Sequence, residues 1–262
     1  MKKNVLEMSH SLNRKLSKLE LQLATALQSQ KLEDLCSVIS RLEEIVTCKE
    51  CRKHYCQCRG SSTLETQLAR LQTGACHCIE LIEKMTVRTA LAQDSADRYL
   101  ANVSQSAVRE AARLRLTHRS HVLFIGSGAR PTSCHAISAA FGCKVVGIDT
   151  DLESVELAQA FSKSLAQSPR LSFQLGDGKD FDPRGFSHIV VASLVKDKHG
   201  VLSHLSKTTR GTIPVALRFG EGLHQIINFP LPRIAPQPWK RMEVEFNPGG
   251  LYQTVILSGA QT

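Results

Sequence analysis

The fold is decided by residues 121–149, which read HVLFIGSGARPTSCHAISAAFGCKVVGID. Two short apolar runs, at residues 122–125 and 145–148, are separated by a segment of helix length, and the first run ends at a glycine-containing turn. Short apolar runs bounded by turn residues are typical of buried strands. The stretch therefore predicts a strand, a helix and a second strand, which is the unit that builds parallel sheets.

Three further apolar runs continue this rhythm along the chain. They cover residues 171–175, 188–192 and 213–217, and they alternate with helical stretches at 152–166 and 196–207. Alternating strands and helices predict an α/β fold of the Rossmann-like type, with a parallel sheet covered by helices on both faces.

The end of the chain departs from this alternation. Residues 225–229, 241–246 and 252–257 are strand-like, and several prolines lie between the first two of these segments. Prolines are tolerated at the edges of sheets and between strands rather than inside central strands. We therefore expect the sheet to finish with antiparallel strands.

Residues 1–117 have the periodicity of helices. Apolar residues recur every three or four positions over 12–27, 32–46 and 64–91, which gives each predicted helix one apolar face. Glycine and serine at 60–62 interrupt the pattern before the third helix. We expect a helical N-terminal domain at 1–117, followed by a Rossmann-like domain at 118–262.

Composition narrows the class of protein. The chain has 262 residues, 42% hydrophobic and 22% charged, which is ordinary for a globular protein and excludes a fibrous or low-complexity chain. No apolar run reaches the length of a membrane span and no export signal is recognisable, so we expect a cytoplasmic protein whose nine cysteines are thiols. The net charge of +9 is compatible with nucleic-acid binding, but only 5% of residues are aromatic and none interleave with basic runs.

The turn after the first predicted strand is the first candidate binding element. Gly126-Ser127-Gly128 leads into a helix, and such a turn lets a ligand approach the backbone and the positive end of the helix dipole. The third glycine of the dinucleotide fingerprint is absent, so the turn alone is weak evidence. Asp149 ends the second strand, 21 residues after Gly128, where a carboxylate can accept hydrogen bonds from ribose hydroxyls.

Polar or small residues also follow the next strands, so one crevice is predicted to hold a nucleoside. The predicted cofactor-binding residues are Gly126, Ser127, Gly128, Asp149, Thr150, Asp151, Gly176, Asp177, Ala192 and Ser193. Nicotinamide cofactors and S-adenosylmethionine both fit this arrangement, and the missing glycine and the strand-like tail favour S-adenosylmethionine. Phe124 stands where many methyltransferases have an acidic residue, which argues against simple methyl transfer.

Three stretches together resemble one family. They are LFIGSGARPT at 123–132, VGIDTD at 146–151, and ALRFGEG at 216–222 with Asn228-Phe229-Pro230. They are similar to the nicotianamine synthase-like enzymes of bacterial opine metallophore assembly, of the staphylopine and pseudopaline type. The resemblance covers residues 76–230 well and implies a class I S-adenosylmethionine-dependent fold preceded by helices.

The resemblance implies an unusual use of S-adenosylmethionine. Family members transfer its 2-aminobutanoate chain to the amine of histidine and release methylthioadenosine. This implies histidine as substrate, with the L enantiomer slightly favoured, no metal, a homodimer, and a downstream opine dehydrogenase. No nucleic-acid or membrane partner is expected. A sulfonium is an activated leaving group, so the enzyme has mainly to orient the amine and remove its proton.

The resemblance, together with side-chain chemistry and helix spacing, suggests roles for five residues. Glu83 aligns best with the family's catalytic glutamate, and Glu80, one turn away, is the fallback and a candidate substrate contact. Tyr99, the second residue with an expected catalytic role, matches a family tyrosine that faces the methionyl end of the donor, where it would hydrogen-bond the donor or the substrate. Arg218 is a candidate substrate-binding residue, because a guanidinium can bind a carboxylate through two hydrogen bonds. Phe219, beside it in the sequence, is a second candidate.

Two other readings stay open. A methyltransferase acting on a small molecule or RNA would share the fold. A zinc- or nucleic-acid-binding regulatory protein on a lapsed enzyme fold would use the net charge and four clustered cysteines. These are Cys48, Cys51, Cys56 and Cys58, whose inner spacing of four residues is short for a structural zinc site.

Overall fold

The computed structural model describes the backbone of residues 2–89, 93–164, 169–232, 239–245 and 250–258. Side chains are described for residues 12–89, 101–164, 169–232, 239 and 250–258. Within these ranges, a group of helices precedes a seven-stranded sheet.

Before the first strand, the described chain forms helices, and they are α1 (Lys2–Ser29), α2 (Leu32–Thr47), α3 (Lys49–Cys58), α4 (Ser62–Arg88) and α5 (Gln93–Arg113). The three helical stretches predicted from apolar periodicity are confirmed as α1, α2 and α4. The predicted break before α4 is also confirmed, because Gly60 has a φ of +90°, a conformation that interrupts a helix and favours glycine. The short helix α3 carries three of the four clustered cysteines.

The α/β part follows, with strands β1 (His121–Ile125), β2 (Lys144–Asp149), β3 (Leu171–Leu175), β4 (His188–Val191), β5 (Val215–Phe219), β6 (Lys240–Glu245) and β7 (Gln253–Ser258). Its helices are α6 (Thr132–Phe141), α7 (Leu152–Ser164) and α8 (Lys198–Thr209). The predicted alternation of strands and helices is confirmed. The α/β fold class is therefore correct.

The sheet has the order β3-β2-β1-β4-β5-β7-β6. The first five strands are parallel, and β7 runs antiparallel between β5 and β6, as the strand-like tail predicted. The order reverses direction between β1 and β4, and the loops at the carboxyl ends of the strands diverge there to leave a crevice. The predicted nucleoside residues follow the strands on this edge.

The prediction of a strand at 225–229 is wrong. The chain instead forms a 3-10 helix, Gly222–Ile226, followed by an irregular segment. Side chains bind the backbone that a strand would pair: Gln72 Nε2 donates to the carbonyls of Gln225 and Asn228, both at 2.7 Å, and Asn228 Nδ2 donates to the carbonyl of Leu251 at 2.7 Å. Side-chain groups compete with a ladder in this way where they can reach the backbone.

The helical and the α/β parts of the chain pack against each other through apolar residues. The core of α1, α2 and α4 extends to Leu223, Ile226 and Leu251 beyond β5, whereas Ala107 and Ala111 of α5 belong to the core of the sheet. The division at residue 117 into two domains stays a prediction. None of the described helices combines the length and apolar character that crossing a membrane requires.

Candidate active site

A cavity of about 1020 Å³ opens between α4 and the carboxyl ends of the parallel strands. Because it joins the helical part to the sheet, it brings together residues that are far apart in the chain. The predicted site residues that line it are Glu80, Glu83, Gly126, Ser127, Gly128, Asp149, Thr150, Asp151, Gly176, Asp177, Ala192, Ser193 and Arg218.

The glycine turn forms one wall of this cavity. Gly126 and Gly128 have φ values of +82° and +69°, so the turn depends on residues without a Cβ atom. The N–H groups of Gly126 and Ser127 donate to the carbonyl of Ile148, at 2.8 and 3.0 Å, which ties the turn to the end of β2. Within the described residues, the buried Ser127 Oγ has no hydrogen-bond partner, although it lines the cavity. A buried hydroxyl of this kind is suited to a polar ligand atom.

Glu83 of α4 reaches across the cavity to this turn. Its carboxylate accepts hydrogen bonds from the backbone N–H groups of Ala129 and Arg130. Burial, together with the negative charge of Asp149, raises the pKa of Glu83 to about 8, and the two backbone hydrogen bonds only partly oppose this shift. A carboxyl group with a pKa near neutrality can exchange a proton under working conditions, as a general base must.

Gly128 is packed directly against Glu83, which gives a first prediction. A Cβ atom at Gly128 would collide with Glu83 Oε2, whereas one at Gly185, which also has a positive φ of +92°, would meet nothing within 4 Å. We expect Gly185→Ala to lower the free energy of unfolding by about 1–2 kcal/mol, the cost of the left-handed backbone alone. Gly128→Ala should cost more, as measured by denaturant unfolding. Equal losses would contradict the packing of Glu83 on the turn.

Asp149 ends β2 beside the turn. One of its oxygens accepts the N–H of Gly128 at 2.9 Å, and the other accepts the N–H of Asp151 at 3.1 Å. Burial raises the pKa of Asp149, and these backbone donors counteract the rise. A carboxylate has about four lone-pair sites, so both oxygens retain capacity to accept further hydrogen bonds from a ligand in the cavity.

Lys84 organises the acidic rim of the cavity, and sequence reasoning missed it. Its ammonium contacts Glu80 at 2.8 Å, Asp151 at 2.6 Å and Glu153 at 3.0 Å, so it bridges α4 to the start of α7. Burial lowers the pKa of Lys84, but the hydrogen bonds to Asp151 and Glu80 outweigh burial and raise it. Glu80 is half exposed and paired with Lys84, while Glu83 points to the turn; the two glutamates therefore have different surroundings.

Arg218 lies at the floor of the cavity with a partner that the sequence did not reveal. Its guanidinium donates to the carboxylate of Glu110 from α5, with Nη2 at 2.8 Å, and to Ser133 Oγ at 2.9 Å. It also stacks on the rings of Phe124 and Tyr252, at 5.1 and 4.5 Å from their centroids. Both charged side chains are almost fully buried, so Glu110 compensates the charge of Arg218 inside the protein. Binding of a substrate carboxylate by Arg218 stays a prediction.

Two predicted site residues are not among the described residues that line the cavity. Phe219 is 2% exposed and packs in the core on the other side of the sheet, because successive residues of β5 point to opposite faces. Tyr99 lies in α5, but its side chain is outside the described residues. The role of Tyr99 therefore stays a prediction.

Lys198 is a second buried charge that sequence reasoning missed. It is 2% exposed, and its ammonium donates to the carbonyls of Ser193 and Val195, both at 2.7 Å. These hydrogen bonds fix the loop after β4, which lines the cavity. Burial lowers the pKa of Lys198 to about 7. A lysine one residue after the N-cap of a helix is normally exposed, so this role could not be predicted from the sequence.

The clustered cysteines are not among the residues that line the cavity: Cys48 lies between α2 and α3, and the other three lie in α3. Cys51 is buried, Cys48 and Cys58 are half-buried, and Cys56 is exposed. Within the ranges that the structure describes, no group of three or more histidine, cysteine or acidic residues is arranged to hold a metal ion.

Known proteins of related sequence carry one enzymatic name. An L-histidine 2-aminobutanoyltransferase of Yersinia pestis is 28% identical over 220 residues, which span 83% of this chain and 82% of the relative. A protein of the same name from Pseudomonas aeruginosa is 28% identical over 193 residues, or 73% of each chain. No protein-family model matches the chain.

The fold as a whole matches crystal structures of the nicotianamine synthase MtNAS. A glutamate-to-glutamine variant of MtNAS in complex with S-adenosylmethionine has a TM-score of 0.78 and 17% identity, covering 97% of this chain and 98% of that chain. MtNAS in complex with MTA and tNA has a TM-score of 0.79 and 15% identity, covering 96% and 98%. The match includes the helices as well as the sheet.

The strand order and this likeness define an α/β fold of the S-adenosylmethionine-dependent transferase class. Within that class, the relatives of similar sequence are named histidine 2-aminobutanoyltransferases, and the MtNAS structures share both the helices and the sheet. The resemblance predicted from the three motifs is confirmed, because the chain is similar in sequence to L-histidine 2-aminobutanoyltransferases and in fold to nicotianamine synthase.

Proposed function

We propose that this protein transfers the 2-aminobutanoate group of S-adenosylmethionine to the amine of L-histidine and releases methylthioadenosine. Its relatives from Yersinia pestis and Pseudomonas aeruginosa are named for this transfer, with the L enantiomer specified. The single observation that carries the proposal is the placement of Glu83 on the glycine turn. A carboxyl group with a pKa of about 8 faces the cavity in a fold of this class.

The donor would bind along the turn and the ends of β2 to β4. Ser127 Oγ, buried in the cavity wall without a partner among the described residues, offers a hydrogen bond to it. Asp149 would accept hydrogen bonds from the ribose hydroxyls with the lone pairs that Gly128 and Asp151 leave free. The residues present therefore fit a nucleoside, and the loop fixed by Lys198 would close the pocket beside it.

Glu83 would act on the acceptor amine. The amine nitrogen attacks the γ-carbon of the aminobutanoate chain and forms a C–N bond while the C–S bond breaks. The bonding electrons pass to sulfur, which leaves as a neutral thioether, and the amine proton passes to the Glu83 carboxylate. Proximity and proton removal account for the chemistry that the protein must supply, because the sulfonium is already activated.

Several finer features of the family are proposals for this chain. We propose a homodimer, a cytoplasmic location, independence from metal, and a downstream opine dehydrogenase that consumes the product for metallophore synthesis. We retain Arg218 and Glu80 as candidate contacts to the acceptor, since both line the cavity. Glu80 would contact the acceptor at the rim of the cavity, and Arg218 would contact it at the floor.

The raised pKa of Glu83 predicts the pH dependence of turnover. A general base must be deprotonated, so kcat/KM should rise as the pH increases through about 8, the pKa of Glu83 in the free protein. The amine of histidine also titrates in alkaline solution, and its contribution must be separated. The residual activity of Glu83→Gln should keep the midpoint due to the amine and lose the one near 8. An unchanged profile in that variant would rule out Glu83 as the titrating group.

The proposed function is tested by incubating the full chain with S-adenosylmethionine and either L- or D-histidine. Mass spectrometry should detect methylthioadenosine together with an aminobutanoyl adduct of L-histidine, and less or no adduct of D-histidine. S-adenosylhomocysteine with a methylated acceptor would instead support the methyltransferase reading.

A further inference from the structure

The junction of α2 and α3 holds two cysteines in contact. Cys48 follows α2 and is the N-cap of α3, and its Sγ accepts the backbone N–H of Cys51 at 3.4 Å. The two thiols also hydrogen-bond to each other. An N-cap side chain folds over the first helical turn toward the residue three positions later, so this contact follows from the helix geometry.

The two sulfurs differ in exposure and acidity. Cys48 is half-buried and reachable from solvent, whereas Cys51 is 2% exposed in the core of the helical part. The backbone N–H of Cys51 is the main cause that lowers the pKa of Cys48, although burial opposes it. Burial, and then contact with Cys48, raises the pKa of Cys51 to about 11. The pair therefore combines an accessible thiol whose pKa is lowered with a shielded neighbour, as in helix-capping Cys-x-x-Cys pairs that exchange disulfides.

We propose that Cys48 and Cys51 form a redox-reactive dithiol that closes to an internal disulfide by exchange with a low-molecular-weight disulfide. The Cys48 thiolate attacks one sulfur of the small disulfide, forms a mixed disulfide and expels one small thiolate. Cys51 then loses its proton to that thiolate or to solvent and attacks Sγ of Cys48. The second small thiolate leaves and is protonated, so two electrons pass from the cysteine pair to the small disulfide.

The mixed disulfide makes the second step easier than the resting pair suggests. The negative charge of Cys48 contributes to the raised pKa of Cys51, and that charge is absent once Cys48 is bonded to another sulfur. Burial of Cys51 also protects it from direct attack, so the order of events is fixed: Cys48 reacts first and Cys51 resolves.

The test uses the full chain, reduced, freed of reductant and incubated with oxidised glutathione. Peptide mapping by mass spectrometry should find Cys48 joined to Cys51, with the intact mass lower by two hydrogen atoms and restored by dithiothreitol. Cys48→Ser should lose this product entirely while serine keeps the N-cap. Cys51→Ala should stop at a glutathione adduct on Cys48. The matched control Cys56→Ser, at the exposed cysteine of the same helix, should still form the disulfide.

Two outcomes would overturn the proposal. One is a glutathione adduct on Cys56 or Cys58 with Cys48 and Cys51 still reduced. The other is a Cys51→Ala variant that folds, as judged by circular dichroism, yet leaves Cys48 unmodified. The Cys48→Ser variant gives an independent result if Cys51→Ala fails to fold. Because these readouts are masses of the protein, they do not depend on the proposed transferase activity.

Discussion

Glu83→Gln is expected to reduce turnover by about 10²–10⁴-fold, the usual contribution of a general base. Glutamine preserves the size of the side chain and can still accept hydrogen bonds from the backbone at Ala129 and Arg130, but it cannot take a proton from an amine. Binding of S-adenosylmethionine should persist. The measurement is kcat by methylthioadenosine release, with the dissociation constant of S-adenosylmethionine from calorimetry.

Two companion variants sharpen this test. Glu65→Gln makes the same chemical change at an exposed position of the same helix and should leave kcat unchanged. Glu80→Gln removes the carboxylate that pairs with Lys84 at the rim, and its effect should fall mainly on KM. A large loss of kcat in Glu80→Gln, with Glu83→Gln near full activity, would move the base to Glu80.

Asp149→Ala is expected to weaken binding of S-adenosylmethionine by about 10–100-fold, since hydrogen bonds to a charged group contribute about 1.5–3 kcal/mol. The loss would come from the missing ribose contacts and from the turn, whose Gly128 N–H bonds to Asp149. The dissociation constant, measured by calorimetry, reports this directly. Asp182→Ala, at an exposed aspartate that pairs with Arg184, is the control and should bind normally.

Substitution of Asp149 should also have a second measurable effect, on the pKa of Glu83. Its negative charge is a cause of the raised pKa of Glu83, so Asp149→Asn should move the midpoint of the pH profile of kcat/KM to lower pH. A dissociation constant like that of the unaltered protein, with an unmoved midpoint, would contradict the assignment of Asp149 to the donor pocket.

The sheet was predictable because its evidence is local. Apolar runs, the turn at Gly126 to Gly128 and the position of Asp149 are all visible within short windows, and parallel strands place their carboxyl ends on one edge. The segment at 225–229 was not predictable in the same way. The composition of this segment is strand-like, but the side chain of Gln72 donates hydrogen bonds to the carbonyls of Gln225 and Asn228. Gln72 is more than 150 residues away in the chain, so a local pattern does not reveal this contact.

Part of the candidate site was predictable because those residues lie in short local motifs. The motifs predicted residues that follow strands and the resemblance predicted Glu83, and the structure places these residues around one cavity. Glu110, Lys84 and Lys198 were missed, because each looks like an ordinary helix surface residue until the packing buries it. Phe124 stands where many methyltransferases have an acidic residue. Its ring lies under the guanidinium of Arg218, and the acidic partner of that arginine is Glu110 of α5.

The central claim is that the aminobutanoate chain moves and the methyl group does not. The most direct measurement follows two forms of S-adenosylmethionine through the reaction with L-histidine, one labelled with ¹³C in the methyl group and one in the carboxyl carbon. We predict that the carboxyl label appears in the histidine adduct and that the methyl label stays in methylthioadenosine. A methyl label on the acceptor, with the carboxyl label retained in S-adenosylhomocysteine, would contradict the account.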